Sequence, residues 1–137
     1  MIKRRILIVD DLPIYRDPIA AALEAEGYKT VTAVDAKEAL RAVESMQHFD
    51  LMIVDYSMPE ITGLGFLERT KGYVDLAHTA TIMLTSSAER DVVVRAHQLG
   101  VSDYILKSNF SIPTLLSKVK RTIESKQQSL DPLGLNR

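Results

Sequence analysis

Leu51-Met52-Ile53-Val54 runs without interruption into Asp55, and Pro59 follows four residues later. A short continuous apolar run ended by a turn signal predicts a strand buried on both faces, the kind found in parallel sheets. Pro59 has no N–H to donate, so the ladder must stop before it. Asp55 then falls at the carboxyl end of a central strand, the edge where open α/β sheets place their ligands. A carboxylate at that position predicts a site.

The rest of the chain repeats the theme. Ile6 to Val9 is a second buried-strand signal and ends in Asp10 and Asp11. A helix over roughly residues 13 to 26 follows, with Pro13 at its permissive first position and Gly27 as its stop. Its inward stripe reads Ile14, Ile19, Ala22 and Leu23, and Pro18 predicts a kink or a late start. Lys29 to Val34 reads as a shorter strand, and Asp35 caps a helix over 36 to 46, with Glu38 completing a capping box. After the Asp55 strand, Gly63 and Gly65 bracket the turn into a helix over about 64 to 71, with Leu64 and Leu67 inward. Gly72 to Thr79 is an irregular connection.

Thr81 to Leu84 is the fourth strand and ends in Thr85-Ser86-Ser87. A helix over about 88 to 98 turns Val92, Val93, Ala96 and Leu99 inward and leaves Val94 as an exposed apolar spot. Asp103 to Leu106 is the fifth strand and ends at Lys107-Ser108. Ser111 caps a last helix that reaches about Ser125. The expected domain spans residues 1–126, and 127–137 is a flexible tail or linker stump. Five strand–helix units predict an α/β fold: a five-stranded parallel sheet with helices on both faces. Right-handed crossovers leave few topologies, of which the flavodoxin-like order 2-1-3-4-5, a three-layer sandwich with five helices, is the natural choice.

That order brings Asp10, Asp11, Asp55, Thr85 and Lys107 to one edge from four strands. At ~4 Å and an effective dielectric of ~20, each like-charged carboxylate pair costs about 4 kcal/mol. One ammonium does not balance three carboxylates, so a proton or a hard divalent cation must complete the site. Magnesium suits it, since it takes a few carboxylates, keeps several waters and accompanies phosphate. Asp55 is then the candidate nucleophile toward phosphorus, giving an aspartyl phosphate. Phosphoryl transfer asks mainly for positioning and neutralisation of the equatorial oxygens, which Lys107, Thr85 and backbone N–H groups at helix starts would supply.

Composition excludes other classes. A length of 137 residues suits one domain, and a net charge of -1 gives no whole-chain argument for nucleic acid or an anionic membrane. The absence of cysteine rules out disulfides and thiolate chemistry. No apolar stretch approaches the ~18 residues of a membrane span, and a cytoplasmic protein is expected. His48, His78 and His97 lack metal-ligand spacing.

In this order and spacing the residues resemble the receiver domains of two-component response regulators, over roughly residues 4 to 126. Ile8-Val9-Asp10-Asp11 is similar to the family's acidic pair, and Asp55 to Pro59 with Gly63 is similar to its phosphoacceptor strand and turn. Thr85 resembles the switch hydroxyl, Tyr104 the switch aromatic and Lys107 the phosphate-facing lysine. The resemblance implies that Asp55 accepts phosphoryl from a sensor histidine kinase, a histidine phosphotransferase or a small phosphodonor. It implies Mg2+ held by Asp10, Asp11, Asp55 and the main-chain carbonyl of Ser57. Thr85 and Tyr104 would then move, reshaping the face of the fourth helix, fifth strand and fifth helix, where a downstream target, an output domain or a second copy in a homodimer would dock. The resemblance, to a chemotaxis-type single-domain receiver, also implies activity confined to self-phosphotransfer and slow autodephosphorylation.

Several departures bear on the site, among them Ser86 in place of the usual alanine after Thr85. Ser108 stands where the family has proline after the lysine, which predicts a trans Lys107–Ser108 bond, because a cis bond to serine costs about 2.5–4 kcal/mol. Ser57 and Ser87 occupy the variable positions flanking the site, and Thr62 stands where an acid often precedes the glycine, affecting only local capping. Ser57 also weighs against a phosphatase of the haloacid-dehalogenase kind, which needs a general acid two residues after its nucleophile. A receiver acting purely as an interaction module is the other rival, and the intact acidic and lysine set weighs against it.

Overall fold

In a computed structural model, which describes residues 3–45, 47–74, 78–86, 89–130 and 133, strands and helices alternate along the chain. The order is β1 (Arg5–Val9), α1 (Pro13–Ala25), β2 (Lys29–Ala33), α2 (Ala36–Glu44), β3 (Leu51–Asp55), α3 (Gly63–Thr70), β4 (Ala80–Thr85), α4 (Arg90–Gln98), β5 (Asp103–Leu106) and α5 (Ile112–Leu130). Among the described residues the strands form one parallel sheet in the order β2-β1-β3-β4-β5. The flavodoxin-like expectation holds.

The central strands are mostly apolar because each faces a helical layer on either side, with Thr81 of β4 also buried. Leu7, Val9, Met52, Val54 and Met83 pack with Ala36, Ala39 and Val43 of α2, Phe66 and Leu67 of α3, and Ala96 of α4. Their neighbours Ile6, Ile8, Leu51, Ile53, Ile82 and Leu84 pack with Ile19 and Leu23 of α1 and Leu115, Val119 and Ile123 of α5. Alternate residues of one run thus serve opposite cores, the period-two geometry of a strand. Each fully buried side chain of this size contributes about 1.5–3 kcal/mol.

Register aligns the strand ends. Val9 pairs with Val54, Asp55 with Leu84 and Thr85 with Leu106. Asp10, Asp55, Thr85 and Lys107 therefore leave the sheet at nearly the same level. The positions read from sequence survive, with local corrections. Ile14 is 75% exposed and faces solvent, because a helix beginning at Pro13 points Tyr15, Ile19 and Leu23 inward at spacings of four. α1 starts at Pro13 and continues through Pro18, with no late start. α3 includes Gly63, and its most buried residue is Phe66. α5 continues past Ser125 to Leu130, since Gln127, Gln128 and Leu130 favour helix and no breaker precedes Pro132. Residues 127–130, expected in the tail, are thus helical, whereas Ser87 and tail residues 131, 132 and 134–137 lie outside the described residues.

The expected caps are present. Asp35 Oδ1 accepts the Glu38 N–H at 2.8 Å, Thr62 Oγ1 accepts that of Gly65 at 3.1 Å, and Ser111 Oγ accepts that of Thr114 at 3.3 Å. The turn after β3 is the tightest point. The Ile61 N–H reaches back to the Pro59 carbonyl at 2.7 Å over Glu60, whose φ of 66° lies in the left-handed region. That is a γ-turn of the strained, positive-φ kind. The Gly63 N–H then donates to the Tyr56 carbonyl at 2.8 Å.

A Cβ on Gly63 would lie 2.5 Å from the Asp55 carbonyl oxygen and 3.0 Å from Tyr56 Cα, so backbone must move to admit it. Gly63→Ala is expected to lower stability by about 1–3 kcal/mol in urea unfolding. Gly72→Ala, where a Cβ meets nothing within 4 Å, stays within about 0.5 kcal/mol of wild type. Equal effects of the two substitutions would contradict the close approach.

Candidate functional site

The β1–α1 connection begins with Asp10, which is fully buried. Its Oδ1 accepts the Leu12 N–H at 2.9 Å, so the carboxylate folds back over its own turn. Arg16 Nη1 donates to the Asp10 main-chain carbonyl at 3.0 Å and ties that turn to α1. Asp11 is half-buried, and its Oδ1 is buried without a hydrogen-bond partner. Leu12, rather than either aspartate, stands at the N-cap of α1, and no side chain caps that helix.

Asp55 ends β3 and is 2% exposed. Lys107 follows β5, and its Nζ lies 3.1 Å from Asp55 Oδ1 and 3.1 Å from Asp10 Oδ2. Asp10 Oδ2 has the lysine's charge beside it but no well-aligned hydrogen bond. Oxygens of Asp10, Asp11 and Asp55 lie within 4.8 Å of one another. The described residues contain no cis peptide bond, so Lys107–Ser108 is trans, and a 3-10 turn, Lys107–Asn109, begins at the lysine. Lys107 reaches both carboxylates from that turn.

Burial is the main force on Asp55, and together with the negative charge of Asp10 it pushes the carboxyl up from 3.8 to about 6, against Lys107 and a Ser57 backbone hydrogen bond. Burial also pulls on Lys107, but the contact with Asp10 and the charges of Asp55 and Asp10 outweigh it and hold the ammonium above its usual range. Lys107 is therefore charged at neutral pH while one cation faces three acids. Two buried carboxylate oxygens without aligned donors, in a cluster of that spacing, fit a hard divalent cation with oxygen preference. Asp10, Asp11 and Asp55 could hold a metal ion.

Thr85 closes β4 and is 3% exposed, while Ser57 and Ser86 are exposed beside the site. Tyr104 lies one strand further out. Its hydroxyl donates to the Val93 carbonyl in α4 at 2.7 Å, and its ring packs at the margin of the core beneath α2, α3 and α4. Burial pushes its pKa up. Val94 is 48% exposed on α4. Of the histidines, His48 sits 3.4 Å from Asp50 and His97 is exposed on α4, both away from the acidic cluster.

Two site residues escaped the sequence reading. The Lys107 ammonium lies 4.3 Å from the centroid of the Tyr15 ring, and Arg16 holds the Asp10 carbonyl. The four-residue spacing of Tyr15, Ile19 and Leu23 was the signal for Tyr15. Arg16 follows one position later, on the helix flank nearest Asp10.

Because the folded-state pKa of Asp55 lies above the unfolded value, the folded protein holds a proton there that the unfolded chain has lost between pH 3.8 and about 6. Stability thus falls as pH rises through that window, and the penalty is complete above it. In metal-free protein with chelator, Asp55→Asn should exceed wild type by about 2–3 kcal/mol at pH 7.5, the gap closing toward pH 4. Denaturant unfolding at both pH values measures this; a gap that is absent or independent of pH would contradict it.

Comparisons with known proteins agree with this geometry. The response regulator receiver domain family model matches residues 6–120. The chain is 34% identical over 121 residues to the chemotaxis protein CheY of Pseudomonas aeruginosa, covering 88% of this chain and 96% of that one. The crystal structure of a CheY-like receiver domain protein from Methanospirillum hungatei superposes with a TM-score of 0.85 at 30% identity, over 93% of this chain and 98% of that one. The response regulator TrrA of Thermotoga maritima, solved in complex with Mg2+ and BeF, superposes with a TM-score of 0.74 at 31% identity, over 87% of this chain and 98% of that one. This chain belongs to the response regulator receiver domain family of two-component systems.

Proposed function

We propose that the protein is a phosphorylation switch in which Asp55 accepts a phosphoryl group from a sensor histidine kinase or a histidine phosphotransferase. The observation that carries this is Asp55 itself: a nearly fully buried carboxylate at the end of a central strand, 3.1 Å from the Lys107 ammonium and grouped with Asp10 and Asp11. An Asp55 oxygen attacks phosphorus, the bond from phosphorus to the donor nitrogen breaks, and the donor imidazole leaves with that electron pair. The product is an acyl phosphate on Asp55. A small phosphodonor such as acetyl phosphate would react in the same way through its P–O bond.

Asp10, Asp11, Asp55 and the main-chain carbonyl of Ser57 would hold Mg2+, which neutralises charge on the phosphoryl oxygens when bound. Lys107 supplies the ammonium on the other side, and its raised pKa keeps it charged. The Thr85 hydroxyl, buried at the end of β4, would turn toward the phosphoryl group. Tyr104 would turn inward in response, giving up its bond to the Val93 carbonyl and releasing one tie between β5 and α4. The α4–β5–α5 face, with Val94 exposed on it, would then change its affinity for a downstream target, an output domain or a second copy. This is a local charge event acting on a two-state surface. The chemistry is self-directed transfer with slow loss of phosphoryl to water, not turnover of a released substrate. The switching unit is the receiver domain itself. The cysteine-free composition fits the reducing cytoplasm.

Intact mass after incubation with acetyl phosphate and magnesium tests this reading. Wild type should gain one phosphoryl group, and Asp55→Asn and chelator-treated wild type should gain none. Beryllofluoride with magnesium should also perturb the tyrosine fluorescence of the chain, which has five tyrosines, and by less in Tyr104→Phe. A wild type that neither gains mass nor responds to beryllofluoride contradicts the proposal.

A further inference from the structure

Lys107 makes three close contacts: the two carboxylates and an aromatic ring. The Tyr15 ring centroid lies 4.3 Å from Nζ, and Phe110 meets Tyr15 edge to face, with centroids 5.7 Å apart and planes at 80°. Both aromatic residues are half-buried against the core that Ile19 and Leu23 also line. Phe110 immediately follows the Lys107–Asn109 turn, and its N–H points back to the Lys107 carbonyl at 3.4 Å. One aromatic pair therefore joins the start of α1 to the turn that carries the lysine.

We propose that Tyr15 is a positioning residue for Lys107, its ring buttressed by Phe110 and fixing the direction in which the ammonium meets Asp10 and Asp55. A lysine side chain has four rotatable carbons and much rotamer freedom to lose. The face of an aromatic ring carries negative charge density, so it attracts the ammonium while keeping water from that side. With the ring at 4.3 Å and both carboxylates at 3.1 Å, Nζ is held in one position. α1 begins three residues after Asp10, so the element that sets the acidic turn also sets the lysine.

The catalytic consequence rests on the reading of Asp55 as phosphoacceptor, and two readouts keep the ideas apart. The first is the proton NMR shift of the Lys107 ε-methylene group. A ring face above it moves this resonance upfield in wild type and in Tyr15→Phe, and Tyr15→Leu should return it to the value of an exposed lysine. The second is the rate of phosphoryl incorporation from acetyl phosphate with magnesium. Tyr15→Leu should slow it about three- to tenfold, with Tyr15→Phe restoring it to within about twofold. Combined with Lys107→Met, Tyr15→Leu should slow it no further, because the ring acts through the lysine.

Equal slowing by Tyr15→Leu in both backgrounds would show that Tyr15 serves only core packing, and would overturn the proposal. So would an unshifted lysine resonance in wild type. Should wild type neither take up a phosphoryl group nor respond to beryllofluoride, the phosphoacceptor reading fails, and the lysine resonance still decides whether the ring holds the ammonium.

Discussion

One ammonium among three carboxylates is the constraint on which the carboxyl edge of this sheet depends. Lys107 lies 3.1 Å from both Asp10 and Asp55, and Asp11 adds a third acid whose Oδ1 has no hydrogen-bond partner. At an effective dielectric of ~20, a unit-charge contact near 4 Å is worth about 4 kcal/mol in either direction. Attraction from the lysine offsets part of the repulsion, while burial first, and the charge of Asp10 after it, push the Asp55 carboxyl up. Such a cluster stays in place only because the backbone around it is fixed. Strand register sets the level of each side chain, Arg16 holds the Asp10 turn, and Gly63 lets α3 begin against the Asp55 carbonyl.

Under the proposed function, the same imbalance would set the direction of the response. A group that brings negative oxygens and positive charge together, as a phosphoryl group with a divalent cation does, relieves the repulsion and exploits the ammonium. The consequence has a short physical path outward. Asp55 pairs with Leu84, Thr85 follows on the same strand and pairs with Leu106, and Tyr104 on that neighbouring strand bonds to the Val93 carbonyl of α4. From Asp55 to the outer surface of α4, the connection consists of adjacent strands and one side-chain hydrogen bond.

Much of this was legible in the sequence because it depends on strand ends. A four-residue apolar run followed by a carboxylate gives both the strand and where its last side chain emerges, so Asp10, Asp55 and Lys107 could be brought together before any coordinates. Wholly apolar strands hide which core each residue serves, and Ile6 and Leu7 look alike in sequence while packing in opposite layers. Ile14 attracted the inward assignment through its hydropathy, yet helix phase put Tyr15 there instead, and with it the contact to Lys107. The end of α5 was missed because its last turn is polar and exposed, so propensity rather than periodicity extends it to Leu130. The positive φ at Glu60 leaves no mark in sequence, since glutamate does not favour that conformation.

The most direct test of the central claim locates the phosphoryl group by residue. Borohydride reduces an aspartyl phosphate to homoserine, which peptide mass mapping places in the chain. After reaction with acetyl phosphate and magnesium, homoserine at position 55 and nowhere else is the predicted result. Homoserine at another aspartate, or phosphate retained on a histidine with position 55 unchanged, would contradict the account.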